Sequence, residues 1–391
     1  MAPRDPAESD RASTPLELFF DLTFVVAVAQ ASGSLHHGLV DGHAGDVLAA
    51  YPLAFFAVWW AWMNFTWFAS AYDTDDAIYR VAVLVQMSGV LILAAGVPRA
   101  FDHQNLAVMT AGYVVMRLAA VAQWLRAAAA HPEGRASALR YAGGVTVVQI
   151  GWALRLLASD DQLLPSAVAL VVAELAVPVW AEAAGRTAWH PSHIVERYGL
   201  FTIIVLGESV LAATLGVQAA LDADASFGDL ATVVVGAALT MFSMWWLYFD
   251  MPAGRVTERA RRTFEDRLSG AFVWGYGHYV VFASAAAVGA GLAVTVDQVT
   301  GHSVLTDLET AWTFTVPVAL YLVAMWVLHA ASKPPGFMRT YAAPVGAVLI
   351  LASSFTGEPV IVTGAVLAGL VALSVVGGPT VAGSPTPRRR G

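Results

Sequence analysis

Long apolar segments recur along the whole chain and determine its class of fold. A helix that crosses a bilayer needs about 20 mainly apolar residues. Twelve such segments can be placed, at 16–34, 47–71, 78–98, 104–126, 138–158, 163–184, 197–217, 228–250, 268–294, 310–331, 340–356 and 358–377. The sequence therefore predicts an all-α polytopic membrane protein of about twelve transmembrane helices, with the lipid bilayer as its main partner.

The composition supports a membrane protein. Hydrophobic residues make up 58% of the chain and charged residues 13%, whereas soluble domains carry about 25% charged residues. Cysteine is absent, which excludes disulfides and thiolate metal sites. The net charge of −8 gives no support for a nucleic-acid partner, and no cofactor is expected.

Lysine and arginine predict the orientation of the helices, because they concentrate in cytoplasmic loops. With the N-terminus inside, Arg99 is the one basic residue in a predicted outer segment, and Arg117 and Arg155 lie within helices. All the others fall on the inner side, including a stretch at 255–267 that we expect to lie along anionic lipid. Residues 1–15 are predicted to be a retained cytoplasmic segment, and the Gly/Pro-rich residues 378–391 a disordered cytoplasmic tail.

Short matches between the two halves favour a duplication. Glutamate and threonine recur at the same spacing in Glu17–Thr23 and Glu196–Thr202, and three further matches pair helix n with helix n+6. The chain is thus predicted to consist of two parallel six-helix repeats. The first half is 16–184 and the second half is 185–377. Such repeats are common in secondary transporters.

Two longer motifs carry a family resemblance. They are ELFFDLTFVVAVAQ at Glu17–Gln30 and HIVERYGLFTIIVLGES at His193–Ser209. Together they closely resemble the low-temperature-requirement protein A family of bacterial membrane proteins, over nearly the whole chain. The resemblance implies a multi-pass protein of the bacterial cytoplasmic membrane, and it implies no mechanism.

Ionisable groups within a membrane are costly, so each is a candidate for the substrate or ion pathway. In the first motif these are Glu17 and Asp21, four residues apart on one helix face, with Gln30 on another. Glu17 has the alternative role of a helix cap. For Asp21 the alternative is a purely structural ion pair.

The second motif is richer in polar groups. His193, Glu196 and Arg197 are expected at the cytoplasmic mouth of helix 7. Glu208 lies eleven residues after Arg197, on nearly the same face and about 16 Å deeper. Near mid-membrane, Glu208 is the leading candidate for a group that handles protons or cations. The alternative is a charge pair with Arg117 or Arg155.

The first half supplies the other charged candidates. Glu174 is central in helix 6, Arg117 is central in helix 4, and Arg155 is expected near an outer helix end, where it could snorkel outward. Three acids, Asp21, Glu174 and Glu208, face these two arginines. If all five share a core, one acid lacks a cationic partner, and we expect at least one of them to exchange protons during function.

Neutral candidates have simpler alternatives. His278 and Asn64 are expected to be hydrogen-bonded core residues or ligand contacts. Nearby tryptophans either fill space or line a cavity. The outer histidines, His36, His37 and His43, lack a fixed ligand spacing, so a solvated loop is favoured and no metal site is predicted.

Three functions remain open. The favoured one is a secondary transporter of a small solute or ion, coupled to protons or cations. The alternatives are an intramembrane enzyme that acts on a lipid-like substrate and a membrane sensor or assembly factor that does not transport. The sequence contains no phosphate-binding glycine loop, no nucleophile elbow and no His-Glu-x-x-His motif, so ATP-driven transport and ordinary hydrolysis have no support.

Overall fold

The computed structural model describes residues 1–3, 12–102, 104–222, 227–250, 268–330 and 337–376. Within these ranges the chain forms twelve α-helices and one short antiparallel pairing of β1 (Ala2–Pro3) with β2 (Tyr72–Asp73). The helices are α1 (Pro15–Val40), α2 (Ala44–Ala71), α3 (Ala77–Asp102), α4 (Ala107–Ala130), α5 (Arg135–Leu154), α6 (Asp160–Glu182), α7 (Pro191–Asp222), α8 (Phe227–Phe249), α9 (Leu268–Val299), α10 (Asp307–Ala330), α11 (Phe337–Ser353) and α12 (Pro359–Val376).

Ten of these helices are long and apolar enough to cross a membrane. The two others are α5 and α11. The all-helical prediction is confirmed, with a helix at each of the twelve predicted segments. The basic stretch 255–267 and the tail 378–391 lie outside the described residues, as do residues 4–11 of the N-terminal segment.

Several helices are longer than the apolar pattern predicts. α1 continues to Val40, so His36 and His37 lie within the helix instead of an outer loop. α5 is an exception at its C-terminal end: it stops at Leu154, before the predicted end at 158, and Arg155 begins a 3₁₀ turn, Arg155–Leu157. Apolarity marks the part of a helix that faces lipid, whereas the hydrogen-bonded backbone continues into the polar interface.

The start of α1 has a clear local cause. The Thr14 hydroxyl accepts a hydrogen bond from the Glu17 backbone N–H at 3.3 Å, and the Glu17 carboxylate accepts one from the Thr14 N–H at 2.7 Å. Pro15 occupies the first turn, where its missing N–H costs nothing. This capping box fixes the helix start and confirms the capping role considered for Glu17.

The centre of the molecule is a junction of α1, α2, α7 and α9. α1 contacts α2, α7 and α9, and both α2 and α7 contact α9. α9 is the most enclosed of the apolar helices, with 78% of its apolar window buried. Side chains from all four helices therefore meet away from lipid, where polar groups are least costly.

Glycines let some helices cross at close range. A Cβ on Gly112 of α4 would lie 2.3 Å from the backbone nitrogen of Leu93 of α3, and one on Gly236 of α8 would lie 2.7 Å from that of Ile361 of α12. Close backbone approach through small residues is typical of membrane helices. These crossings fix α3 against α4 and α8 against α12.

Candidate functional site

Four charged or titratable side chains form a buried cluster between the starts of α1 and α7, here called the α1–α7 charge cluster. Arg197 Nη2 lies 2.5 Å from Asp21 Oδ1. His193 Nε2 lies 3.3 Å from Glu17 Oε1, and Arg197 Nη1 lies 3.8 Å from the same oxygen. All four side chains are at most 1% exposed. The cluster joins the two sequence motifs, which contribute one acidic pair and one basic pair.

The packing around this cluster is aromatic. Trp62 of α2 donates its indole N–H to Asp21 Oδ1 at 2.7 Å, and its ring stacks on Phe201 with centroids 4.2 Å apart. The Arg197 guanidinium also lies over the Phe65 ring, 5.6 Å from its centroid. Because the cluster is enclosed on these sides, its acid and base pairs suit a structural clamp better than lipid chemistry.

A second cluster surrounds Glu174 of α6 and is called the Glu174 cluster. Its carboxylate accepts hydrogen bonds from Arg117 Nη2 at 3.0 Å, from Trp60 Nε1 at 2.8 Å and from the Tyr113 hydroxyl at 3.1 Å. Arg117 also donates to the Tyr113 hydroxyl. Both carboxylate oxygens are therefore satisfied, and the charge of Glu174 is balanced by Arg117.

Glu208 differs from the other buried acids. Its side chain lies in the central junction and is 5% exposed. Its carboxyl group lies near the Ser32 hydroxyl of α1, which donates to the Ala286 carbonyl. In the described part of the chain no ion pair involves Glu208, and its Oε2 atom has no hydrogen-bond partner. The pairing with Arg117 or Arg155 considered from the sequence is not formed.

The helices around Glu208 are tied together by neutral polar groups. The Ser209 hydroxyl donates to the Ala285 carbonyl of α9 at 3.0 Å, and the Ser32 hydroxyl donates to the Ala286 carbonyl at 3.2 Å. A Cβ on Gly289 would lie 3.0 Å from Ser209 Cα. The glycine thus lets α7 approach α9 closely at the level of Glu208.

The sequence-based charge count needs a correction. The count placed Arg197 at the cytoplasmic mouth and did not include it among the buried cations. In the structure Arg197 is fully buried and pairs with Asp21. Arg155, which was included, pairs with no acid in the described residues. Its guanidinium donates to the Leu163 carbonyl at 2.8 Å and 3.2 Å. In the described residues the buried cations therefore balance Asp21 and Glu174. Two buried acids form no ion pair there: Glu182 accepts hydrogen bonds from Tyr141 and Thr187 on both oxygens, whereas Glu208 Oε2 accepts none.

The remaining predicted residues are scattered. Glu196 accepts a hydrogen bond from the Ser13 backbone at 3.2 Å, beside the α1–α7 charge cluster. Gln30 is on the exposed surface of α1 and does not join any of these groups. His278 Nδ1 lies 2.8 Å from the Trp274 carbonyl, among the rings of Tyr198 and Phe282. This is the environment of a packed core histidine.

A narrow cavity with both polar and apolar walls lies next to the Glu174 cluster. Arg117 of α4 lines it together with three side-chain amides, Asn64, Gln86 and Gln123. It has room for about one water molecule. Both polar atoms of Gln123 and the Nε atom of Arg117 lack hydrogen-bond partners among the described residues, so the cavity suits a water molecule that bridges them.

Sequence reasoning missed several of these residues. Trp60 and Trp62 were considered as space fillers, although each donates to a buried carboxylate. Gln86, Gln123 and Ser32 were not considered. The available signal was the position of Gln86 and Gln123 within otherwise apolar segments, where amides are as unusual as charges.

The described residues contain no group of three or more His, Asp or Glu side chains that could bind a metal ion. At the opposite end of α1 from the charge cluster, His36 Nε2 lies 2.6 Å from Asp297 Oδ2 of α9. This partly exposed contact ties the ends of two central helices together. The ion-pair contact involves these two residues, and the His37 ring lies beside that of His36 with centroids 4.8 Å apart.

Comparisons with known proteins bear on the whole chain. The family model described as "Bacterial low temperature requirement A protein (LtrA)" matches residues 12–376. A protein of Rhizobium meliloti (strain 1021), described as uncharacterized, is 28% identical over 292 residues, which is 70% of this chain and 67% of the relative. No solved structure matches the chain. The resemblance seen in the two motifs is thus confirmed over nearly the full length.

Proposed function

This chain belongs to the bacterial low temperature requirement A family, and from that premise we propose that it is a secondary transporter that couples a small solute or ion to protons or cations. Glu208 is the proposed coupling group. The observation that carries the proposal is the difference between Glu208 and the other buried acids. Glu17, Asp21 and Glu174 each have a basic partner within 4 Å, and Glu182 accepts hydrogen bonds on both of its oxygens. In the described part of the chain Glu208 has no cation beside it and no hydrogen-bond partner for Oε2.

Chemistry then limits what can neutralise Glu208. A charged carboxylate without a partner costs several kcal/mol to bury. A proton or a small monovalent cation removes that cost, and it can leave again when the site opens to water. Ser32 offers a hydroxyl oxygen next to the carboxyl, and its own hydrogen is directed to the Ala286 carbonyl. A protonated Glu208 therefore has an acceptor beside it.

The position of Glu208 suits coupling between two moving parts. It lies where helices of the two proposed halves, 16–184 and 185–377, meet in the central junction. Binding sites at repeat interfaces, near the middle of the bilayer, are typical of secondary transporters. A change of charge at this point alters the contact between the halves directly.

Similar packing in the two halves supports the proposed duplication. α1 contacts α3, α3 contacts α4, α4 contacts α5, and α5 contacts α6. In the second half α7 contacts α9, α9 contacts α10, α10 contacts α11, and α11 contacts α12. The two series correspond helix by helix at an interval of six. The α8–α12 crossing has no counterpart of similar extent between α2 and α6, so the proposed repeats differ there.

The proposal places the chain in the bacterial cytoplasmic membrane with both termini in the cytoplasm. In this orientation the α1–α7 charge cluster lies near the inner surface and the His36–Asp297 contact near the outer surface. The inner cluster acts as a fixed clamp in the proposed mechanism, because each of its acids lies within 4 Å of a base. Glu208, deeper in the bundle, is the group whose charge changes.

The test is a proton-flux measurement in liposomes that contain an internal pH dye. A potassium gradient with valinomycin imposes the membrane potential. We expect the unmodified protein to conduct protons and Glu208→Gln to lose this flux, because the amide keeps the shape of the side chain but cannot bind a proton. Glu133→Gln, in the exposed α4–α5 connection, is the matched control and should keep the flux.

Folding is checked separately for each variant by monodisperse elution and by the melting temperature. Flux through folded Glu208→Gln equal to that of the unmodified protein would remove Glu208 from the pathway. Glu174→Gln serves as a second comparison: it should lower the yield of folded protein, since Arg117 loses its partner. Loss of flux together with loss of folded protein in both variants would assign Glu208 a structural role instead.

A further inference from the structure

One face of α1 is turned away from the rest of the chain. Leu22 and Val26 are 57% and 43% exposed there, and Gln30 is exposed as well. Gly33 continues the same face, because intervals of four, four and three residues keep the four positions within about 80° of the helix circumference. We call these four residues the open face of α1.

Gln30 is the unusual member of this face. It lies about 22 Å along α1 from Pro15 and about 15 Å from Val40, close to the middle of the helix. The hydrocarbon core of a bilayer is about 30 Å thick, so an α1 that spans it holds the Gln30 amide inside the hydrocarbon. Side chains on a helix lean towards its N-terminus, which directs this amide away from the nearer helix end and from the water there.

Other polar side chains on exposed helix surfaces satisfy themselves within their own helix. Ser88 donates to the Leu84 carbonyl at 3.0 Å, and Thr214 donates to the Val210 carbonyl at 2.8 Å. A glutamine amide carries two N–H donors and an acceptor oxygen. In the described part of the chain the Gln30 side chain makes no hydrogen bond, and unsatisfied polar groups are costly in hydrocarbon.

Gln30 also lies on the opposite side of α1 from the groups that face the protein interior. Asp21 pairs with Arg197, and Ser32 donates to the Ala286 carbonyl. Gln30 is nine residues after Asp21 and two before Ser32, which places it about 180° and 200° from them around the helix. Its amide therefore faces away from Glu208 and is available to a partner that approaches through the lipid.

We propose that the open face of α1 is the contact between two copies of this chain, in which the two Gln30 amides hydrogen-bond to each other. Copies with the same orientation in one membrane are related by a twofold axis along the membrane normal, and a residue near that axis meets its own counterpart. An amide is both donor and acceptor, so two glutamines at one level satisfy each other. Polar side chains of this kind hold membrane helices together.

The rest of the open face permits a close approach. Gly33 lies about one turn from Gln30, and a Cβ added to it would meet no atom within 4 Å, so this glycine serves no crossing inside the described chain. Small residues let the backbones of two membrane helices come together. A second copy matches the open face at every level, whereas a different protein would need its own amide at the depth of Gln30.

Cysteine cross-linking in membranes tests the contact without background, because the chain contains no cysteine. Val26→Cys, one turn from Gln30, should form a disulfide-linked dimer on oxidation with copper phenanthroline. Val147→Cys, on the exposed surface of α5, is the matched control and should remain monomeric. Chance collisions would link both variants equally, and that result, or a product that does not have the mass of two copies, would overturn the proposal.

Dilution in lipid measures the strength of the contact. Full-length protein labelled with a donor or an acceptor dye is reconstituted at decreasing protein-to-lipid ratios, and energy transfer reports the fraction of dimer. Gln30→Leu should raise the dissociation constant about tenfold, because hydrogen bonds between membrane helices have effects of about this size. Gln30→Asn retains an amide and should weaken the dimer less than Gln30→Leu.

Gly33→Ile is an independent second variant. It should also raise the dissociation constant, because a branched side chain keeps the two backbones apart, and the open space around Gly33 lets the single chain fold. Monodisperse elution checks the folding of each variant. A protein that is monomeric at every ratio would refute the contact, and so would a dimer of unchanged strength in folded Gln30→Leu and Gly33→Ile. The inference concerns assembly and does not depend on whether Glu208 carries protons.

Discussion

Asp21 and Arg197 form an ion pair of 2.5 Å across 176 residues of sequence, with both side chains fully buried. The pair joins the first helix of each proposed half at one end of the bundle. A buried ion pair contributes little net stability relative to apolar residues, but the removal of one member is costly because the other is left charged and enclosed. The role that follows for this pair is to fix α1 against α7.

We expect Arg197→Met to lower the free energy of unfolding by about 3–5 kcal/mol, because Asp21 is left without its cation. The double variant Asp21→Leu with Arg197→Met should recover most of this loss. Unfolding in mixed detergent micelles, followed by circular dichroism, provides the measurement. Arg80→Met is the matched control: it breaks the exposed pair with Asp75 and should leave the unfolding free energy nearly unchanged. A double variant no more stable than Arg197→Met would contradict the interpretation.

The α3–α4 crossing gives a second prediction. Gly112→Ala should destabilise the protein by about 1–3 kcal/mol, because the added Cβ would meet the Leu93 backbone at 2.3 Å and the helices must separate. Gly143→Ala is the matched control on α5, where no atom lies within 4 Å of the added Cβ. It should be neutral or stabilising, since alanine favours the helix. Thermal unfolding of both variants in the same detergent tests this, and an equal effect would argue against the close crossing.

The sequence was sufficient to predict where the helices lie, but not which side chains of different helices pair with each other. Runs of about 20 apolar residues are a local signal, so a helix lies at each of the twelve predicted positions. The Asp21–Arg197 and Arg117–Glu174 pairs, by contrast, join residues 176 and 57 positions apart. Spacing within one helix shows which face a residue shares, but not which other helix covers that face.

Burial was the second quantity that the sequence left undetermined. Arg197 lies six residues after Pro191, the start of α7, at a position where an arginine could equally extend into the interface. Instead it is fully buried, paired with Asp21 and lying over the Phe65 ring. Glu208 was identified correctly as a buried residue of the core, because three helical turns of apolar residues precede it. That no described cation lies beside Glu208 could be seen only from how α1, α2 and α9 pack around it.

The short connection between α2 and α3 gives a prediction about pH. Asp76 accepts a hydrogen bond from Arg126 Nη1 at 2.9 Å and one from the Tyr79 backbone at 2.9 Å. These contacts, with Arg126 first, lower the pKa of Asp76 from 3.8 to about 2. A depressed folded-state pKa gives stability that is present above the unfolded pKa of 3.8 and is lost as the pH falls through about 2.

Asp76 therefore stays charged across the range from pH 5 to pH 8. We expect Asp76→Asn to shift the melting temperature by the same amount at pH 5 and at pH 8, since neither the intact contact nor the variant titrates between these values. Any pH dependence of proton flux in this range should likewise persist in Asp76→Asn. A shift that grows from pH 5 to pH 8 would show that this connection titrates within the range and contributes to the pH response.

The twelve-span topology can be tested without any background labelling, because the chain contains no cysteine. α5 and α11 decide the count, since they are outside the ten long apolar helices. With twelve spans and the N-terminus inside, Asp161→Cys, after α5, and Glu358→Cys, after α11, are outside. Glu133→Cys, before α5, is inside. All three positions are exposed, and a membrane-impermeant maleimide should label the first two in intact cells and the third only after permeabilisation. Labelling of Glu133 and Asp161 from the same side would show that α5 does not cross the membrane, and the halves would then differ in their number of spans.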